Sequence, residues 1–182
     1  MSEARLIDTN VLIVASAADA GSPFKPDATP VQEAEYRQKV LAWLHDFEQD
    51  AQRYAVLDLE WLICGEYDNK LTHQDYGWLA IMAKMDRNEV VWVALVVDNN
   101  GIAVLPPELS DAVTDLADRK MVAAVLAAAA AGHPCKLVNA CDTDWLDCEA
   151  ALMAAHIETE HLLEHEWLRP KWRSMRQHKA TS

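Results

Sequence analysis

Five acids stand where a folded chain could use them as a group. Asp8 closes a short apolar run, Glu66 sits in a helical stretch, and Asp118 leads into an Ala-rich run. Asp142 and Asp144 follow a short strand-like segment. Steps of 58, 52 and 24 residues separate Asp8, Glu66, Asp118 and Asp142 in turn, so only tertiary structure can join them. Carboxylates gathered in one cleft repel each other, and a hard divalent cation relieves that repulsion. Such a cation activates bound water and polarises ligand oxygens, which is the chemistry this set offers. Thr9 and Asn10, directly after Asp8, are capping residue types that suit the start of a helix.

The elements that must position these acids follow from periodicity and punctuation. Residues 5–8 form an apolar run that ends as a helix begins at Thr9. Gly21, Ser22, Pro23, Pro26 and Pro30 mark a loop. A helix over about 31–53 places Tyr36, Val40, Trp43, Leu44, Phe47 and Ala51 on one face. A buried strand over 54–58 leads to helical spacing of Leu59, Leu62, Ile63 and Glu66 up to about Leu71. A further helix, about 74–85, carries Trp78, Ile81, Met82 and Met85. Residues 90–97, with five valines in eight positions, predict the longest buried strand, ended by the turn Asp98-Asn99-Asn100-Gly101. A helix over about 117–131 closes at Gly132 and Pro134. It is followed by a strand at 136–140, a helix at about 146–155 and a weaker strand at 157–163. Strands alternating with helices predict an α/β domain: a three-layer α/β/α sandwich with a mostly parallel sheet. Ligands of such sheets bind beyond the carboxyl ends of the strands, where Asp8 and Asp142 fall.

Composition sets the limits. The 182 residues carry 16 Lys+Arg against 29 Asp+Glu, a formal net charge of −13, which excludes a diffuse basic surface for nucleic acid. Chemistry on a polyanion must therefore rest on a local site. With 51% hydrophobic and 25% charged residues, 5 Gly and 7 Pro, the chain has an ordinary globular composition. Cys64, Cys135, Cys141 and Cys148 form no CxxC pair and predict reduced, mostly buried thiols. Residues 11–18 imitate a signal-peptide core, but Asp8 and Asn10 precede them and Arg5 is the one basic residue ahead. No apolar run reaches the roughly 20 residues of a membrane span. The expectation is a cytoplasmic protein with no membrane contact.

Three segments resemble the PIN domain family. Arg5-Leu6-Ile7-Asp8-Thr9-Asn10-Val11-Leu12 looks like the family's opening, an aspartate followed by Thr or Ser and then Asn at the end of the first strand. Asp118-Arg119-Lys120-Met121-Val122-Ala123-Ala124-Val125 is similar to its aspartate-led helix. Leu137-Val138-Asn139-Ala140-Cys141-Asp142-Thr143-Asp144-Trp145 resembles its late strand and D-x-D-aromatic turn. Glu66, in Cys64-Gly65-Glu66-Tyr67, looks like the helical glutamate of bacterial PIN-like proteins, and the order D, E, D, D matches. The resemblance implies a PIN-like nuclease domain over residues 1–163 and a basic tail over 164–182. It implies a metal-dependent ribonuclease of the VapC type. Asp8, Asp118, Asp142 and Asp144 would hold Mg²⁺ or Mn²⁺, with Glu66 as an outer ligand or as the group orienting the attacking water. Thr9 would hold the turn and Asn10 would bond Asp8 or the phosphate. Products with a 5′-phosphate and a 3′-hydroxyl, an RNA substrate, an antitoxin protein as partner and a homodimer belong to the same implication. This chain departs from the family pattern in its Pro-rich loop, its long apolar strand and its tail.

Plainer readings exist for each residue. Asp8-Thr9-Asn10 can be a helix cap, Asp118 an acid favoured by a helix dipole, and Asp142 with Asp144 a polar turn. Glu60, six residues from Glu66, points to another helix face and competes with it; Glu66 is favoured. Asp111 and Asp115 compete with Asp118, although neither leads directly into the apolar helix. His161 and His165 are four apart, which would suit one helix face, and Cys135, Cys141 and Cys148 with His133 match zinc spacing only loosely. Trp43 and Trp78 read as core, and Trp145 resembles the family aromatic beneath the active-site turn. Arg169, Lys171, Arg173, Arg176 and Lys179, with Trp172, form an acid-free tail suited to RNA phosphates, a partner or solvent. A non-catalytic PIN-like interaction module binding a protein partner is the alternative function.

Overall fold

The computed structural model describes residues 3–180, and side chains up to His178. Its centre is one five-stranded sheet made of β1 (Glu3–Ile7), β2 (Arg53–Asp58), β3 (Val90–Val93), β4 (Cys135–Asn139) and β5 (Glu158–His161). The strands lie in the order β3-β2-β1-β4-β5, and every pairing is parallel. Consecutive residues Leu6 and Ile7, Val56 and Leu57, and Leu137 and Val138 are all buried, the mark of strands covered on both faces.

Helices supply that cover. They are α1 (Thr9–Ala18), α2 (Ala34–Gln49), α3 (Leu62–Lys70), α4 (Tyr76–Asp86), α5 (Pro107–Ala112), α6 (Arg119–Ala130), α7 (Asp144–Asp147), α8 (Glu149–Ala154) and α9 (Arg169–Ala180). α1, α2 and α4 pack on one another, while α6 lies against β1, β2, β3 and β4. The result is a three-layer α/β/α sandwich. α1 and α4 meet so closely that a Cβ at Gly77 would lie 2.5 Å from the Leu12 carbonyl oxygen. Beside that crossing, the buried Asp75 carboxylate accepts from the backbone N–H groups of Phe24 and Thr72, which fixes the Pro-rich loop to the start of α4. At the other end of α4 the buried Lys84 ammonium donates to the carbonyls of Asp50 and Arg53 and to Glu89, anchoring the start of β2.

Three elements differ from the sequence expectation. The strand expected over 90–97 stops at Val93, because its neighbour β2 ends at Asp58, the residue in register with Val93. Beyond that point no strand offers a ladder, and Val97 instead bridges Ala103 across the turn at Gly101. The helix expected over 146–155 is two short helices, α7 and α8, separated at Cys148. The basic tail is α9, preceded by a π-helical turn at Glu164–Leu168 whose Leu168 is fully buried. Arg169 pairs with Glu149 and Glu164, and Arg176 and Trp172 bond Asp147, so these tail groups are held by the chain's own acids. The Lys179 side chain lies outside the described residues. His161 lies in β5 and His165 in the π-helical turn, so they do not share the face of one α-helix; His161 Nδ1 instead meets Asn139 Nδ2 at 3.0 Å. Among the described residues no helix is long and apolar enough to cross a membrane.

Candidate metal centre

The chain order reverses between β1 and β4, its topological switch point, and both strands end there in chemistry-bearing turns. A cleft of about 730 Å³ opens at this end, lined by Asp8, Glu66, Asp115, Asp118 and Asp142 together with Lys120. Thr9, Asn10, Trp61 and Lys70 also form part of its wall.

Each acid is aimed by its local structure. Asp8 is the N-cap of α1: Oδ1 accepts the Asn10 N–H at 3.1 Å, and Oδ2 accepts from the indole Nε1 of the fully buried Trp145. The capping role is therefore real and coexists with a place in the cleft. Tyr67 donates its hydroxyl to the Ile7 carbonyl at 2.5 Å, directly behind Asp8. The Asn10 Oδ1 accepts from Ala140 N at 2.8 Å and Cys141 N at 3.1 Å, tying the carboxyl end of β1 to that of β4. Asn10 thus contacts Asp8 through its backbone and uses its side chain to join the two strands.

Asp142 stands in a turn made rigid by the fully buried Asn139, whose Oδ1 accepts from Asp142 N and whose Nδ2 donates to Asp142 O. The Asp142 Oδ1 in turn accepts from Asp144 N at 2.9 Å. Asp118 begins α6 with its carbonyl accepting from Met121 N and Val122 N, but its carboxylate caps nothing. That carboxylate is turned toward the other acids. Glu66 projects from α3, held by the Thr9 hydroxyl on Oε1 and the Lys120 ammonium on Oε2. Glu60 points elsewhere and accepts the Leu95 N–H.

The electrostatics record the crowding. Asp8 is pushed up to about 7, first by burial and then by Asp142. Asp118 is pushed up to about 8, first by burial and then by Asp8 and Asp142. Asp142 is raised as well, mainly by burial, with Asp144, Asp115 and Glu66 adding repulsion. Oxygens of Asp115, Asp118 and Asp144 lie within 4.8 Å of one another, close enough to share one cation. This all-oxygen donor set, with no thiolate or imidazole in it, fits a hard divalent ion.

Of the residues singled out from sequence, Asp8, Thr9, Asn10, Glu66, Asp118 and Asp142 line one cleft, and Asp144 joins at metal-bridging distance from Asp118. Asp115 enters beside Asp118 where the sequence had the two in competition; it precedes the helix in an irregular stretch, so no periodicity marked it. Lys120 and Trp61 were not singled out. No periodicity ties Lys120 to Glu66, and no sequence signal says that Trp61 is exposed. The four cysteines are unpaired thiols, and Asp115, Asp118 and Asp144, without Asp8 or Asp142, are the one metal-capable cluster among the described residues. Comparison with family models, with curated proteins and with solved structures gave no match.

Proposed function

We propose that the chain is a PIN-like metal-dependent ribonuclease. One observation carries the reading: carboxylates from four distant segments, Asp8, Glu66, Asp118 and Asp142, face one cleft at the switch point, and Asp8 and Asp118 are raised there to about 7 and 8. A fold keeps such repulsion where a cation repays it. When bound, that cation supplies a water of lowered pKa and a Lewis acid for the phosphodiester.

The chain's own residues do the rest. Asp115, Asp118 and Asp144, whose oxygens lie within reach of one ion, would hold the cation, with Asp8 and Asp142 in the same cleft as further oxygen donors. Trp145 and the α1 N-terminus hold Asp8 in place, and Asn139 holds the Asp142 turn, which is how surrounding groups fix ligand geometry. Thr9 and Lys120 orient Glu66 toward the attacking water. Lys120 and Lys70 set positive charge beside a phosphate in a protein that otherwise repels it.

The test is Mn²⁺ titration calorimetry alongside RNA cleavage by the wild type, Asp8→Asn and Asp118→Asn. Cleavage that needs Mg²⁺ or Mn²⁺ and falls by roughly a hundredfold in either variant supports the reading. Cleavage that survives EDTA overturns the metal-dependent reading, and a wild type that neither cleaves RNA nor binds Mn²⁺ overturns it in favour of a non-catalytic module.

A further inference from the structure

Two large aromatic side chains stand in solvent at the lip of the acidic cleft. Trp61 is 46% exposed and Trp92 43%. Their rings stack, with centroids 6.2 Å apart and planes 13° from parallel. Trp61, at the N-terminal end of α3, lines the cleft itself, and Lys70 lines it from the other end of that helix, while Trp92 rises from the edge strand β3. Together they make an aromatic step leading from the rim of the sheet to the acids.

The backbone at Trp61 is held in an uncommon state to build that step. Its φ of 64° is left-handed, a strained conformation for a bulky side chain. The turn persists because both carboxylate oxygens of Asp58 accept backbone N–H groups, from Leu62 and Ile63, each at 2.8 Å. The Asp58 carbonyl also accepts the Trp61 N–H at 3.3 Å. The fully buried Asp58 thus fixes the turn that carries the indole to the cleft mouth.

We propose that the Trp61–Trp92 pair is a stacking platform for an unpaired nucleobase of the strand that enters the cleft. The inference rests on the metal-dependent nuclease reading and adds to it a base-holding surface. An exposed, flat indole stack accepts any base face, but a base inside a duplex has both faces covered by its neighbours. A base stacked at Trp61 lies at the mouth of the cleft that the acids and, farther along α3, Lys70 line. Lys70 is exposed and has no ion-pair partner among the described residues. Because the chain carries −13, diffuse attraction for phosphates is weak, and stacking has to supply much of the affinity. A protein partner on the same step would have to bury the charged wall of the cleft next to Trp61, which interface cores avoid.

The experiment follows fluorescein-labelled oligoadenylate by anisotropy, and tryptophan emission by quenching, in Ca²⁺, whose loose coordination favours binding over in-line chemistry. Wild type, Trp61→Asn, Trp61→Phe and Trp92→Ala are compared, with the same strand annealed to oligouridylate as the duplex. Asn adopts the left-handed turn readily, and Trp92→Ala leaves that turn untouched, so misfolding of one variant does not remove the test. The wild type should bind the single strand with quenching and the duplex more weakly. Trp61→Asn and Trp92→Ala should each bind about tenfold more weakly, and Trp61→Phe should recover most of the loss. Absence of quenching by the single strand, equal affinity for the duplex, or wild-type binding by both ring-deleted variants overturns the platform. So does unchanged binding with a shift from dimer to monomer, which assigns the step to a protein interface. Intact stacking with no cleavage would sink the nuclease reading alone, and intact cleavage without stacking would sink the platform alone.

Discussion

The indole Nε1 of Trp145 donates to the carboxylate of Asp8, so the turn after β4 and the turn after β1 meet at one buried hydrogen bond. A donor on Oδ2 favours the charged form of Asp8 and opposes the burial that raises its pKa.

Trp145→Phe keeps an aromatic ring but removes that donor together with part of the buried indole's volume, a packing loss that does not depend on pH. The cost should be about 1.5–3 kcal/mol at pH 8, where Asp8 is largely ionised, because a hydrogen bond to a charged group is lost. Near pH 5 Asp8 is protonated and the cost should shrink. Denaturant unfolding of wild type and variant at the two pH values checks this; an equal loss at both would show that Trp145 acts through packing alone.

Stability should fall as pH rises toward neutrality. The folded-state values of Asp8 and Asp118, about 7 and about 8, lie above the ordinary aspartate value near 3.9. Between those limits the native state binds more protons than the unfolded chain, so the slope of unfolding free energy against pH is negative, and it flattens above pH 8. Mn²⁺ competes with those protons, so its stabilisation should be larger at pH 8 than at pH 6. At about a hundred times its Kd it should raise Tm by roughly 5–10 °C. Melting curves with and without Mn²⁺ across pH 5–9 give the answer, and a metal effect that does not grow with pH would contradict the assignment of these acids as ligands.

Asp118→Asn removes a charge that the metal-free fold resists. The variant should be more stable than wild type at pH 8 without cation, by about 1–3 kcal/mol, and should lose most of the Mn²⁺-dependent gain. A variant less stable than wild type under metal-free conditions would place Asp118 among structural acids.

Lys120 sits between two roles. Its pairing with Glu66 lowers the negative potential of the cleft, so Lys120→Met should tighten Mn²⁺ binding by about tenfold. The same change removes a phosphate partner, so cleavage of RNA should fall. Calorimetry and an activity assay moving in opposite directions would support both roles, and parallel loss would reduce Lys120 to a strut.

Gly77→Ala tests the α1–α4 crossing. Alanine ordinarily favours a helix by up to about 1 kcal/mol over glycine, but here its methyl meets the Leu12 backbone. The helices must part, and the net loss should be about 1–3 kcal/mol. Gly65→Ala is the control, since a Cβ there meets nothing within 4 Å, and it should be neutral or stabilising.

The layered fold was legible because its signals are local: alternating apolar segments, the turn at Gly101, the Gly132 stop after α6. The end of β3 was not, since Val96 and Val97 are as strand-like as Val91, and their fate depends on where β2 turns away. Acids at strand ends could be read as a group, but their partners could not. Asp115 reaches Asp118 from an irregular loop, and Lys120 reaches Glu66 across two helices, contacts without a period in the sequence. The tail read as free positive charge because its counter-charges, Glu149, Glu164 and Asp147, lie in other elements.

A five-stranded open sheet has two rims, and each invites an added strand. At β5 the carboxylates of Glu158 and Glu160 are held by Lys136 and Arg5, so an incoming chain meets a rim of paired charges that it would have to desolvate. At β3 the rim is four residues long, too short to template an extended ladder. One rim is closed by charge and the other by length. The protein should therefore remain a discrete particle in concentrated solution, and fibril growth from the folded state has no starting edge.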